Sequence, residues 1–220
     1  MKKMIREMML RKLEGETEEQ KEVEEVVEEA KKEIGEGELM EMIMDEINSK
    51  TLNIIGTFDE KQVAYVREFA NHLWYYEADE KRPLYINISS HGGFCSSLLA
   101  ILDILEEVKE EWGCTIITKC NGYAESCGFI LWCTGDERYM GKYGELMVHS
   151  IAYSYNSNLL EHEKELKRTK KMQEKIDKVI MEKTGIKKQQ LNKWYKNGDT
   201  FLDYEDCLKL GLLTLEEDEE

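Results

Sequence analysis

Short apolar runs alternate with longer amphipathic segments through most of the chain, and this alternation limits the fold to a few classes. The strand-like runs are 53–56 (NIIG), 84–88 (LYINI), 115–118 (TIIT) and 146–149 (LMVH). Apolar residues at helical spacing predict helices over 60–77, around 98–108, over 126–133 and from about 159 to 183. Strands that alternate with helices in this way indicate βαβ units with right-handed crossovers. The body is therefore predicted to be one α/β domain with a mostly parallel sheet.

The composition changes near Gly35–Gly37, which predicts a boundary. The segment before it is rich in Glu, Lys and Met and repeats apolar residues at helical spacing. We predict an acidic helical N-terminal extension over residues 1–37, a body over 38–215 and an acidic tail over 216–220. The extension is interpreted as a helical appendage on the body or on a neighbouring subunit, with a specific partner-binding arm as the alternative.

Charge and hydropathy exclude several classes of partner. The formal net charge of -16 over 220 residues opposes binding to nucleic acid, which needs a basic face, and it opposes an anionic membrane. The first residues contain no unbroken apolar run of the kind found in signal peptides, and no apolar stretch approaches the ~20 residues that span a bilayer. A cytoplasmic protein is expected. Its six cysteines form no CxxC pair and are predicted to be reduced.

Two strand–helix junctions carry residues suited to chemistry. In SSHGGFC, the pair Gly92–Gly93 permits backbone N–H groups to face a ligand, as an oxyanion hole requires, although a tight turn is the commoner explanation. In NGYAESCGF, Ser126 stands just before an apolar helical run. Locally, an N-cap is the favoured interpretation. A nucleophilic serine is the alternative, and it needs a base and a group that orients the base.

The candidates for that base are few, because the chain has four histidines. His91 lies in the SSHGG segment and His149 ends the LMVH strand, so both are candidates. The other two, His72 and His162, are interpreted as surface or packing residues. Asp199 is predicted in a turn before a short helix, and spacing alone does not assign it to His149.

The order of four motifs resembles the proteolytic subunit of the Clp protease. The motifs are YINISSHGG, GYAESCGFIL, ELMVHS and GDTFLDYEDCLKLGLL, and the resemblance extends from about residue 52 to 215. It implies the crotonase-like ββα superhelix with a protruding handle helix. It also implies a homo-oligomer of two stacked heptameric rings that hydrolyses unfolded proteins inside a chamber, fed by a hexameric AAA+ unfoldase. ATP would be used by that partner, and no cofactor or metal is expected in this subunit.

The resemblance also implies a role for individual residues. Ser126 matches the nucleophile, His149 the general base and Asp199 the orienting acid of a serine endopeptidase. The oxyanion hole would consist of the backbone amides of Gly93 and Cys127. The residues expected to contact the substrate are Gly92, Phe94, Ile151 and Tyr153.

The chain departs from the family pattern near these residues. Glu125 replaces an alanine beside Ser126, where a carboxylate is expected to raise the His149 pKa or repel acidic substrates unless it points into solvent or pairs with a cation. His91 replaces the proline of the glycine turn. The segment before the handle helix lacks the family's glycines, and the first 50 residues are longer and more helical. The alternatives are an inactive ring subunit and, with less support, a crotonase-fold acyl-CoA enzyme.

Overall fold

The structure, a computed structural model, describes residues 50–75 and 83–214. The predicted extension 1–37 and the predicted tail 216–220 lie outside the described residues. In the described part, helices alternate with strands for most of the chain. The strands are β1 Thr51–Phe58, β2 Leu84–Gly93, β3 Ile116–Glu125, β4 Glu137–Met140, β5 Glu145–Val148 and β6 Thr200–Leu202. The helices are α1 Glu60–Tyr75, α2 Cys95–Trp112, α3 Cys127–Cys133, α4 Leu159–Thr184, α5 Lys188–Lys196 and α6 Tyr204–Lys209.

The six strands form one sheet in the order β1-β2-β3-β5-β6. β3 also pairs with β4 along residues 117–120, before it pairs with β5 along residues 123–125. All pairs are parallel except β5 with β6, which is antiparallel. The predicted α/β domain with a mostly parallel sheet is thus confirmed.

The core lies where α3 crosses the sheet. All seven residues of this helix are buried, so it reads as a continuous apolar run rather than an amphipathic one. Gly128 lets the helix backbone approach β2, because a Cβ atom there would lie 3.1 Å from the Ser90 carbonyl oxygen. On the sheet, the Thr118 hydroxyl is fully buried and donates to the Trp132 carbonyl at 2.7 Å. These contacts hold α3 against β2 and β3.

The long helix α4 packs on the body through its second half only. Its buried residues are Ile176, Asp177 and Ile180, whereas Leu159 and Leu160 at its start are 76% and 61% exposed. The buried carboxylate of Asp177 is neutralised by an ion pair with Lys188, as a buried charge requires. The first half of α4 is therefore an exposed arm with apolar residues at its beginning.

The C-terminal segment is fastened to β4 by Arg138. Its guanidinium donates to the carbonyl oxygens of Leu212 at 2.8 Å, Gly135 at 2.9 Å and Lys183 at 3.3 Å. Its backbone exchanges hydrogen bonds with Thr214. One side chain thus links the sheet, the end of α4 and the end of the described chain.

Several strand boundaries differ from the predictions. The SSHGG segment belongs to β2 rather than to a turn, since Gly92 and Gly93 pair with Thr57 and Phe58 across a register shift. Likewise, β3 continues through Gly122. The short strands β4 and β6 were not predicted, and β6 directly follows Asp199, where a turn before a helix was expected. Each of these strands is defined by its pairing partner more than by its own sequence.

The cysteines agree with a further expectation. All six cysteines are free thiols, as predicted, and five of them are buried. Within residues 50–75 and 83–214, none of the helices combines the length and the apolar character that crossing a membrane requires.

Candidate active site

A small cavity of about 100 Å³ lies where the central strands end and α3 begins. Strand ends of this kind are the usual position of sites in parallel α/β sheets. The cavity is lined by Gly93, Cys95, Ser126, Ile130, His149, Ile151, Ala152, Gln173 and Ile176. Four of the residues predicted for the site are therefore in its wall.

Ser126 connects β3 directly to α3. It has a φ of 53° and a ψ of -113°, and it is one of two non-glycine residues with positive φ in the described part of the chain. Its side chain caps no amide of α3, so the locally favoured N-cap interpretation is wrong. The backbone is held instead by a 2.8 Å hydrogen bond from Ser126 N to the Met147 carbonyl on β5. Strained backbone of this kind is often found where a side chain must be presented to a ligand.

His149 follows β5, which pairs with β3, and Asp199 directly precedes β6. β5 and β6 are antiparallel neighbours, with Val148 opposite Thr200, so the residues next to this pair, His149 and Asp199, lie close together. His149 Nε2 is 2.7 Å from Ser126 Oγ, which is hydrogen-bonding distance. His149 Nδ1 is 3.6 Å from Asp199 Oδ1, an ion-pair distance, and the Asp199 side chain is 61% exposed. The three predicted catalytic residues are brought together in the order Ser–His–Asp.

At the end of β2, Gly92 packs against Ser126 and Gly93 packs against Phe58. At Gly92, with a φ of +97°, a Cβ atom would lie 2.7 Å from Ser126 Cβ and 3.1 Å from Cys127 N. At Gly93, a Cβ atom would lie 2.6 Å from Phe58 N. The Gly92 amide donates to Ser90 Oγ at 3.0 Å, and that hydroxyl in turn donates to the Gly56 carbonyl. Only glycine fits at either position, and the pair lies beside the Cys127 amide.

His91 and Glu125, the two departures nearest the site, contact each other. His91 Nδ1 lies 2.8 Å from Glu125 Oε2, and the imidazole stacks on Tyr123 with 4.0 Å between ring centroids. The Glu125 side chain is 17% exposed, whereas His91 is 71% exposed. The carboxylate beside Ser126 is thus hydrogen-bonded to an imidazole and points toward His91.

Three predicted substrate contacts, Gly92, Phe94 and Tyr153, are not in the cavity wall. Phe94 is 65% exposed and Tyr153 is 40% exposed, so both lie on the surface. The sequence analysis also missed Gln173, whose Oε1 accepts a 2.7 Å hydrogen bond from Ile151 N. Gln173 could have been recognised from its spacing, because it lies three positions before Ile176 and seven before Ile180, on the buried face of α4. Cys95 and Ile130 were missed because nothing local distinguishes them from core residues.

Metal-binding residues are not grouped in this site. Within the described ranges, no three His, Cys, Asp or Glu side chains are arranged to hold a metal ion. A more open depression of about 410 Å³ is lined by Gly185–Lys187, Gln189, Gln190, Lys193 and Leu210. It contains no nucleophile or histidine, so the chemistry is assigned to the smaller cavity.

Comparison with known proteins gives two results. The sequence profile of the family described as "Clp protease" matches residues 35–215. The chain is also 32% identical over 149 residues to the "ATP-dependent Clp protease proteolytic subunit 2" of Bacillus licheniformis. That alignment covers 67% of this chain and 76% of the relative.

Proposed function

Because this chain belongs to the Clp protease family, whose fold is the crotonase-like ββα superhelix, we propose that it is a serine endopeptidase subunit. Its substrate class is the unfolded polypeptide, and the nucleophile, base and orienting acid are Ser126, His149 and Asp199. The observation that carries the proposal is the 2.7 Å contact between His149 Nε2 and Ser126 Oγ. A serine nucleophile needs this contact to lose its proton as it attacks.

The first half of the reaction forms an acyl-enzyme. His149 Nε2 takes the proton from Ser126 Oγ as the oxygen attacks the peptide carbonyl carbon. Asp199, beside Nδ1, holds the imidazole in the tautomer that leaves Nε2 free to accept and stabilises the imidazolium. The tetrahedral intermediate then collapses, and His149 gives the proton to the leaving amine. In the second half, water attacks the ester with His149 again as base.

The developing oxyanion is stabilised by the backbone amides of Gly93 and Cys127. Both belong to segments that are fixed before substrate arrives, Gly93 by its pairing with Phe58 and Cys127 by the start of α3. Preorganised donors of this kind are worth about 3–4 kcal/mol each in comparable sites. The start of a helix adds its partial positive charge to the same place.

The substrate is proposed to lie along the extended segment that leads to α4. This segment, 151–158, has no regular secondary structure and is largely exposed, and its first residue lines the cavity. A cavity of about 100 Å³ is smaller than the roughly 300–1,000 Å³ of a typical cofactor or drug pocket, so it suits a single substrate side chain. Gly92 and Ile151 would contact the chain near the scissile bond, with Phe94 and Tyr153 farther out.

The assembly is proposed by analogy with the family. Members generally form oligomeric rings that work with Clp ATPases, and we propose two stacked heptameric rings with a hexameric AAA+ unfoldase in the cytoplasm. The exposed apolar residues Leu159 and Leu160 at the start of α4 fit a contact between rings. ATP is used by the unfoldase, and the steps above use only groups of this subunit.

A fluorophosphonate probe tests the proposed chemistry, because it reacts only with an activated serine. We expect labelling of Ser126, complete loss in Ser126→Ala and a sharp decrease in His149→Ala. Ser150→Ala, which changes an exposed serine next to the base, is the matched control and should label normally. An assembled protein that takes up no label would contradict the proposal and favour a non-catalytic ring subunit.

A further inference from the structure

Two cysteine thiols meet at the proposed oxyanion hole, and the mechanism above uses neither of them. Cys95 is the first residue of α2, two positions after Gly93, and Cys127 is the first residue of α3, directly after Ser126. The two side chains are hydrogen-bonded to each other. Cys127 Sγ also lies 3.3 Å from the Gly93 carbonyl oxygen. The thiol pair therefore joins the two segments that carry the proposed oxyanion donors.

The two thiols differ in access. Cys95 is partly exposed and lines the cavity with Ser126 and His149, whereas Cys127 is completely buried. A small reagent that enters the cavity thus reaches Cys95 first. Cys127 lies behind it as the second sulfur.

The thiols also differ in acidity. The hydrogen bond from Cys127 lowers the pKa of Cys95 to about 7 against the opposing effect of burial, which makes this thiol more acidic than an ordinary cysteine. The same hydrogen bond and burial raise the pKa of Cys127. Burial raises the pKa of Cys120 and of Cys207 to about 12. Cys95 therefore combines thiolate character with access, the two properties that select cysteines for oxidation.

We propose that Cys95 and Cys127 form a peroxide-sensitive pair that closes the active site reversibly by a disulfide bond. The Cys95 thiolate attacks the O–O bond of hydrogen peroxide, which gives a sulfenic acid, and the hydroxide that leaves takes up a proton to become water. The Cys127 sulfur then attacks the sulfenic sulfur. The S–S bond forms as the S–O bond breaks, and the departing hydroxide leaves as water with the Cys127 proton. Two thiols are oxidised, and one peroxide is reduced to two waters.

The effect on catalysis rests on the proposed function. A disulfide has an S–S length of about 2.05 Å, which is much shorter than a hydrogen-bonded contact between two thiols. The bond ties the start of α2 to the start of α3. Because Cys127 follows Ser126 and carries one oxyanion donor, a shift of ~1 Å there is enough to lower the rate about a hundredfold.

Oxidation of the full chain by hydrogen peroxide tests the pair. We expect non-reducing peptide mass spectrometry to find a Cys95–Cys127 cross-linked peptide with the loss of two hydrogen atoms. In the same samples, fluorophosphonate labelling of Ser126 should fall at least about tenfold and return after treatment with dithiothreitol. Cys95→Val should keep its labelling after peroxide. Cys114→Ala, which removes a buried thiol just before β3, should respond as the unsubstituted protein does.

The two readouts separate this proposal from the one it rests on. Absence of the cross-linked peptide, or loss of labelling by peroxide in Cys95→Val, would overturn the pair. If the cross-linked protein labels at Ser126 as fast as the protein with free thiols does, the disulfide does not close the site. If the reduced protein never labels, the peptidase proposal fails, while peptide mapping of the unsubstituted chain still decides whether the pair forms.

Discussion

Replacing Gly92 with alanine should separate the geometry of the nucleophile from the stability of the fold. The added Cβ atom would lie 2.7 Å from Ser126 Cβ and must move by about 0.7 Å to reach ordinary contact. Its other near neighbours are backbone atoms, Cys127 N and the Glu125 carbonyl oxygen, both at 3.1 Å. Since no flexible side-chain end can yield, the displacement falls on the Ser126 segment and on an oxyanion donor.

The expected loss of activity follows from that displacement. A misplacement approaching 1 Å costs about a hundredfold in rate, or about 2.7 kcal/mol of transition-state stabilisation. A positive φ adds a separate cost to folding of roughly 1–2 kcal/mol for alanine, which lowers the melting temperature by about 2–8 °C in a domain of this size. Gly92→Ala should thus lose most of its activity while it remains folded at room temperature.

Gly122→Ala is the matched control for this experiment. Gly122 has a φ of +95°, against +97° for Gly92, but a Cβ atom there meets nothing closer than Ser89 Oγ at 3.9 Å. Gly122→Ala should therefore show the stability cost of the positive φ alone in thermal denaturation, whereas only Gly92→Ala should also lose fluorophosphonate reactivity and peptide hydrolysis. If their kcat/KM values differ by less than about threefold, the packing of Gly92 at the end of β2 does not set the geometry of Ser126.

Two further substitutions test the partners of the site. Asp199→Asn should lower kcat/KM for a peptide substrate by roughly 10- to 100-fold without dissociating the oligomer. This loss is smaller than the ~10⁴-fold known for a buried orienting aspartate, because water screens the 61% exposed carboxylate. Equal activity of the variant would show that Asp199 does not orient His149. His91→Ala should leave the largely buried Glu125 carboxylate unpaired, and a double-mutant cycle with Glu125→Ala should show coupling of about 0.5–1 kcal/mol in thermal unfolding. Additive losses would mean that the contact between His91 and Glu125 contributes nothing.

The main elements of the fold were predictable because their signals are local. The apolar run LYINI and the helical spacing of Leu98, Ile101 and Leu105 each specify an element without knowledge of its neighbours. The ends of the elements were less predictable. β2 continues through SSHGG because β1 supplies pairing partners across a register shift, and no property of the glycines themselves indicates this.

The site was predictable only from the order of several motifs. Local reasoning favoured an N-cap for Ser126, since a serine before a helix usually has that role. The structure gives it a φ of 53° and a histidine 23 positions away in the sequence, and neither is encoded in the neighbouring residues. The contact between His91 and Glu125 was also invisible locally, because 34 positions separate the two residues.

The hydrogen bond from Ile151 N to Gln173 Oε1 has a consequence for how the cavity keeps its width. Gln173 also donates to Asp177 at 2.9 Å and to the Tyr195 hydroxyl at 3.1 Å, so its amide group is fixed by the buried half of α4 and by α5. The segment after His149 is thus held by a hydrogen bond to a helix, whereas Ser126 is held by the sheet. One wall of the cavity therefore belongs to the sheet and the other to α4, so the width of the cavity depends on how closely α4 packs against the body.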